Sequence, residues 1–315
     1  MKILITGGNG YVGRTLARTL YGSHEVTVVD NLRSGACRFA PEELTQFRFV
    51  EADIRDFRSL RPAIADAQPD AVVHLAAVHY IPECEANPEE ALGINTLGTM
   101  NVVRALNPGT RLVFASTAAV YAPEDLPHDE TSSKIGPADV YGYTKLHAEG
   151  YVRHFAASLK LDARIVRLFN VVGPGETNPH VLPAILAQIR RGAQTLRLGN
   201  CTTKRDYVHV QDVAEGFAAV ALRPQNGARV DTVNLGTGKA YTVEELVSKL
   251  SDIAGVPFRI ETDQARLRPV DRPFAAAGVA KIAREYGWTA RFQIEDSLRQ
   301  LWQDPDVPEE LLARC

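Results

Sequence analysis

Along the first two-thirds of the chain, short apolar runs alternate with longer stretches whose apolar residues recur at helical spacing. The runs at 2–6, 25–29, 47–50, 71–74, 111–115 and 163–168 are rich in Val, Ile, Leu and Phe. They lack a clean in–out alternation, so they predict strands buried on both faces of a parallel sheet. The stretches 11–21, 56–65, 88–106 and 141–159 predict the helices between them. Strand and helix in alternation imply an α/β fold, a doubly wound parallel sheet with helices on both sides. Gly173-Pro174-Gly175 breaks the pattern, and beyond it come a helix over 182–190 and shorter elements richer in Arg, Gly and Pro. Two later runs, 206–210 and 230–234, are expected to return to the main sheet.

Composition narrows the classes. A chain of 315 residues with 45% hydrophobic and 23% charged residues can hold one large domain and a smaller lobe. A formal net charge of −3 offers no excess of Lys and Arg for counterion release, which argues against a general nucleic-acid binder. Cys37, Cys84, Cys201 and Cys315 lie far apart with no C-x-x-C spacing. That pattern fits reduced thiols rather than a disulfide frame or zinc site, and no metal is expected. Lys2 runs straight into the first predicted strand, and no apolar run approaches the ~20 residues of a membrane span. A soluble cytoplasmic protein is expected.

Gly7-x-x-Gly10-x-x-Gly13 sits between the strand at 2–6 and the helix at 11–21. Glycine serves such a turn by allowing positive φ, close approach of a pyrophosphate and tight helix packing. The helix start, Tyr11-Val12, then offers free N–H groups to phosphates. Asp30, followed by Asn31, ends the second strand. A carboxylate there accepts the adenosine ribose hydroxyls and repels a 2′-phosphate, favouring NAD over NADP; the alternative is a cap before Asn31-Leu32. Asp53-Ile54, after the third strand, is placed for the adenine amino group. In His74-Leu75-Ala76-Ala77 the small residues leave space beside the pyrophosphate and nicotinamide ribose. Residues 1–172 are therefore expected to form a dinucleotide-binding domain, and 173–315 mainly a substrate-binding lobe interleaved with it.

Tyr141-x-x-x-Lys145 lies on a predicted helix, and Ser116-Thr117 closes an upstream apolar run. Residues four apart share a helix face, so both side chains are able to point at one ligand. A tyrosine with its pKa near ~10 is a poor base at neutral pH. The Lys145 ammonium and an oxidised nicotinamide are expected to favour its phenolate. That chemistry is the reversible oxidation of an alcohol.

With these residues in place the chain resembles the extended short-chain dehydrogenase/reductases, specifically the nucleotide-sugar epimerase/dehydratase branch of UDP-galactose 4-epimerase type. The resemblance runs from Met1 to about Trp288 through Gly7–Gly13, Asp53-Ile54-Arg55, His74–Ala77, Asn95-Thr96-Leu97-Gly98-Thr99, Ser116–Tyr121, Tyr141–Lys145, Arg167-Leu168-Phe169-Asn170, Arg205–Val210 and Arg268–Asp271. It implies a Rossmann fold with a smaller C-terminal α/β lobe, tightly kept NAD and a nucleotide-diphosphate sugar as substrate. It also implies a homodimer through a four-helix bundle, matched by 88–106 and 141–159. It places Leu75, Ala76, Ala77 and Asn95 with the cofactor residues, has Lys145 bond the nicotinamide ribose, and has Thr117 donate to the sugar O4. Asn170 then meets the diphosphate or sugar, Arg205 and Arg268 clamp the diphosphate, and Asp271 orients Arg268 or takes a ribose hydroxyl. His180-Val181 stands where the family has Asn-Leu, and His79 where it often has lysine. His79 is either a substrate contact or a half-buried turn residue.

The resemblance implies C4 inversion through a 4-keto sugar. Ala118-Ala119 replaces the Asp-Glu pair with which 4,6-dehydratases eliminate water, so dehydration is disfavoured. A dehydrogenase or ketoreductase that exchanges its nicotinamide, and a non-catalytic dinucleotide sensor, are the competing readings. Ala275, Tyr121-Ala122 and Val171-Val172 reshape the expected sugar pocket and admit a modified sugar.

Overall fold

The computed structural model of the chain describes residues 1–176, 178–224, 230–267 and 272–303. Its strands are β1 (Lys2–Thr6), β2 (Glu25–Asp30), β3 (Arg48–Glu51), β4 (Ala71–His74), β5 (Arg111–Thr117), β6 (Asp162–Leu168) and β7 (Asn170–Val172). They continue as β8 (Thr195–Leu198), β9 (Lys204–His209), β10 (Val230–Leu235), β11 (Ala240–Tyr241), β12 (Arg259–Thr262) and β13 (Phe274–Ala275). The helices are α1 (Tyr11–Leu20), α2 (Phe57–Ala67), α3 (Ile81–Ala86), α4 (Pro88–Leu92), α5 (Thr99–Ala105) and α6 (Val140–Ser158). After these come α7 (Val181–Arg190), α8 (Val210–Leu222), α9 (Val243–Ala254), α10 (Ala280–Tyr286) and α11 (Ile294–Gln303).

Seven strands form one sheet in the order β10-β6-β5-β4-β1-β2-β3, every pair parallel. Its central strands are apolar along their length because both faces are covered: Ile3, Leu4 and Ile5 have almost no exposed surface. One face packs Leu16 of α1, Phe217 of α8 and Ile282 of α10. The other packs Leu60 and Ile64 of α2, Val102 of α5 and Val152 of α6. A third core joins α7, α9 and α11 through Ile185, Leu246 and Leu298. The strand order reverses between β1 and β4, so their carboxyl ends open a crevice at the position where such sheets bind ligands. No helix among the described residues is long and apolar enough to cross a membrane.

The expectation for 206–210 needs correction. This segment is β9, which belongs to a second sheet with β7, β11 and β13 instead of the main one. The free edge of β6 is taken by β10, in register from Val230 opposite Ala163. The chain leaves the main sheet after β6, and the short continuation β7 recruits β9 in parallel. An apolar run identifies a strand but not its partner. The helix expected over 88–106 is also modified: a π-helical stretch, Gly93–Gly98, separates α4 from α5. Gly98 is packed so closely there that a Cβ would stand 2.6 Å from Cδ1 of Ile54.

Candidate active site

The turn between β1 and α1 fits a dinucleotide pyrophosphate. Gly7 has φ +70°, and a Cβ on it would stand 2.6 Å from the Ala76 backbone nitrogen. A Cβ on Gly13 would collide with the Gly7 carbonyl oxygen. Gly10 is the N-cap of α1, and no side chain caps the N–H groups that follow it at Tyr11 and Val12, leaving them for an anion. The Tyr11 ring itself is buried, its hydroxyl donating to the Gly173 carbonyl at 2.8 Å. Leu75, Ala76 and Ala77 line the other side, half-buried after β4, with Leu75 N donating to Thr6 O at 3.0 Å.

Asp30 accepts hydrogen bonds from Asn9 N at 3.0 Å and Leu32 N at 2.8 Å, which fixes its carboxylate beside the glycine turn. Burial raises its pKa, against the pull of those two bonds. Asn31 donates to Asp53 at 2.9 Å. Arg55 first, with Asn31 contributing, holds the Asp53 carboxyl down at about 2. Ile54 is buried against Gly98. Replacing Asp30 with Ala should weaken NAD binding about 10–100-fold, as expected for a lost hydrogen bond to a charged group, while NADP binding holds or improves. Calorimetric titration of cofactor-stripped protein checks this, and equal NAD affinity in variant and wild type would contradict it.

Asn95, expected among the cofactor residues, sits between the loop after β4 and α6. It has no exposed surface; its amide clamps Val78, accepting from N at 2.9 Å and donating to O at 2.8 Å, and donates to Thr144 at 3.0 Å. It thereby holds the loop after β4 against α6.

Thr117 ends β5; its hydroxyl accepts from Ala119 N at 3.1 Å, and it lies near enough to the Tyr141 phenol to lower that group's pKa. Tyr141 stands in the first turn of α6, which Asp139 caps by accepting from Gly142 N at 2.7 Å. Lys145, one turn on, is buried with Nζ 4.3 Å from the centroid of the Phe114 ring. Burial lowers the lysine pKa to about 7, against the attraction of Glu149. Burial likewise raises Tyr141 above the ordinary tyrosine value, and Thr117 offsets only part of that. The lowering expected from Lys145 is therefore not supplied by protein groups alone, because desolvation outweighs them.

Three supports had no signal in sequence spacing. Glu149 is buried and takes Ser116 Oγ at 2.6 Å and the Arg167 guanidinium at 3.0 and 2.8 Å. Arg272, from the C-terminal lobe, donates to the carbonyls of Ala118 at 3.1 Å and Ala119 at 2.6 Å and lies 3.7 Å from Asp139. It fastens the Thr117 turn to the helix that carries Tyr141. Glu176 is buried 3.3 Å from His180 Nδ1.

On the substrate side, the structure brings His79 and His180 together with ring centroids 5.5 Å apart. His180 caps α7 and Val181 begins it. His79 keeps an exposed ring although the cleft walls, then His180, lower its pKa. Asn170 is exposed at the start of β7 opposite Tyr207, and Arg205 lies two residues earlier on β9, bonded to the Arg272 carbonyl at 2.6 Å. Arg268 and Asp271 lie outside the described residues.

Residues 3–236 match the model of the NAD dependent epimerase/dehydratase family. The chain is 32% identical to UDP-glucose 4-epimerase of Bacillus subtilis, with 96% of each chain covered. Its fold matches UDP-glucose 4-epimerase from Bifidobacterium longum in complex with NAD+ and UDP, with a TM-score of 0.86 at 26% identity over 98% of this chain and 100% of that one. It also matches MoeE5 in complex with UDP-glucuronic acid and NAD, with a TM-score of 0.81 at 26% identity over 100% of this chain and 99% of that one. A glycine turn shaped for a pyrophosphate, a carboxylate beside it and a Tyr–Lys helix facing the same crevice complete the agreement: the chain belongs to the NAD dependent epimerase/dehydratase family, and its cofactor is NAD.

Proposed function

We propose that the chain inverts C4 of a nucleoside-diphosphate sugar through a 4-keto intermediate, leaving its cofactor unchanged overall. The observation that carries this reading is the placing of the Tyr141 phenol beside Thr117, with buried Lys145 one helical turn on. Bound NAD+ supplies a hydride acceptor and the extra positive charge that the phenol lacks. Tyr141 takes the C4 hydroxyl proton and returns it after the sugar has turned over. Thr117 donates to O4 as it becomes a carbonyl, and its hydroxyl is held for that purpose by the Ala119 turn. Lys145 adds charge to the phenol and bonds the cofactor ribose. Asn170 and Arg205 hold the diphosphate, joined in this reading by Arg268 and Asp271, so that the keto sugar rotates without escaping. His79, His180 and Val181 form the wall beside the sugar.

Ala118 and Ala119 are buried and apolar, and they make polar contacts only through backbone atoms. They offer no group to move a proton at C5 or C6, which supports inversion over dehydration. The relatives' UDP-sugars make UDP the first base to try. Leu92, Leu97, Tyr143 and Tyr151 are exposed apolar side chains on the helical layer of α4 to α6. They support a homodimer through a four-helix bundle, expected as a dimer in sedimentation velocity. Incubation with UDP-, TDP-, GDP- and CDP-sugars, read by NMR, should show C4 inversion of at least one without added cofactor. Stoichiometric NADH release instead would establish a dehydrogenase.

A further inference from the structure

We propose that His79, Glu176 and His180 form a seat for one divalent transition-metal ion of the zinc class, on the wall of the substrate cleft. One ligand atom from each residue lies within 4.8 Å of the other two. His180 Nδ1 and Glu176 Oε2 already stand 3.3 Å apart. Two ligands about 2.1 Å from a tetrahedral ion are separated by roughly 3.4 Å, so this pair is spaced for a shared metal. The His79 ring lies against His180, their centroids 5.5 Å apart, and completes the set. Asn178 anchors the set from behind. Its backbone N–H donates to Glu176 at 3.2 Å, and its side-chain amide stands 3.1 Å from His79 Nε2, where it can orient the ring as an outer partner of a ligating histidine.

The three residues come from different places: the loop after β4, the turn after β7 and the cap of α7. A Glu176–His180 ion pair accounts for two of them but gives no reason for a second imidazole from a distant segment. Two imidazoles and one carboxylate make a borderline nitrogen–oxygen donor set carrying one negative charge, which favours a cation over an anionic ligand. Three protein ligands leave a fourth position open. On the proposed function, a sugar hydroxyl or carboxylate oxygen is the ligand class such an open position would take, so the ion would read a substituent of the substrate without entering the Tyr141 proton path.

The test uses the NAD-loaded protein, dialysed against chelator and titrated with zinc chloride, with magnesium chloride as a hard-cation control. The expected result is one zinc per chain, tetrahedral d–d absorption on cobalt(II) substitution, and little affinity for magnesium. His79→Asn, at an exposed position, and Glu176→Gln should each weaken zinc on the order of 10–100-fold, with the His79 variant melting like wild type. Absence of stoichiometric zinc, equal zinc affinity in both variants, or magnesium binding as tight as zinc would overturn the proposal. The readout is metal binding, so its failure leaves the epimerase reading untouched.

Discussion

Tyr141→Phe should fold, retain NAD and lose turnover by about 10²–10⁴-fold, the usual contribution of a positioned acid–base group. The substitution removes one oxygen, the one that lies beside Thr117. It leaves the features that hold α6: the Asp139 cap and the buried Ala148, Val152 and Ala156. Turnover is followed by NMR, and retained cofactor by absorbance after denaturation. A variant that turns over like the wild type would remove Tyr141 from the proton path. Because protein groups alone raise this phenol's pKa, its ionisation should also depend on cofactor charge: oxidised and reduced holoenzyme should differ in tyrosinate absorbance, with more phenolate in the oxidised form.

The second substitution is structural. Glu149→Gln should destabilise the fold by about 3–5 kcal/mol, the cost of stranding one member of a buried ion pair. The partner is Arg167, also buried, at 2.8 Å, with its guanidinium carbon 4.7 Å from the centroid of the Tyr121 ring. Burial opposes ionisation of Glu149, but Arg167, and then Ser116, outweigh it and the pKa is lowered. A carboxyl with a depressed folded-state pKa contributes stability that is present above the unfolded value, near 4.5, and lost as pH falls through the folded value. The wild type should therefore lose stability on acidification below that range, and the variant should show a flatter curve there. Urea unfolding across the acid range checks both expectations. A loss well under 1 kcal/mol at neutral pH would mean that solvent, not Glu149, satisfies Arg167.

What was legible in the sequence was local. A glycine triplet between a strand and a helix, an aspartate ending the next strand, and a tyrosine and lysine one turn apart each carry their geometry in their spacing, and the structure shows why Gly7 and Gly13 are needed. What was not legible depends on distant segments meeting. Glu149 and Arg167 pair from a helix and a strand. Arg272 reaches back from the C-terminal lobe to the Thr117 turn. His79 and His180 approach across a gap that no motif spans. The bonds of Asn95 to Val78 and Thr144, which tie the loop after β4 to α6, likewise have no signal in its motif. The misplacement of 206–210 has a similar origin, since apolarity does not say which sheet edge is free.

Inversion by this route requires that C4 be oxidised and reduced within one binding event. A nucleotide sugar carrying deuterium at C4 settles this. The inverted product should retain the deuterium at C4, with no NADH accumulating and no exchange into added unlabelled cofactor. Loss of the label to solvent, or inversion that leaves the C4–deuterium bond out of the isotope effect, would contradict it.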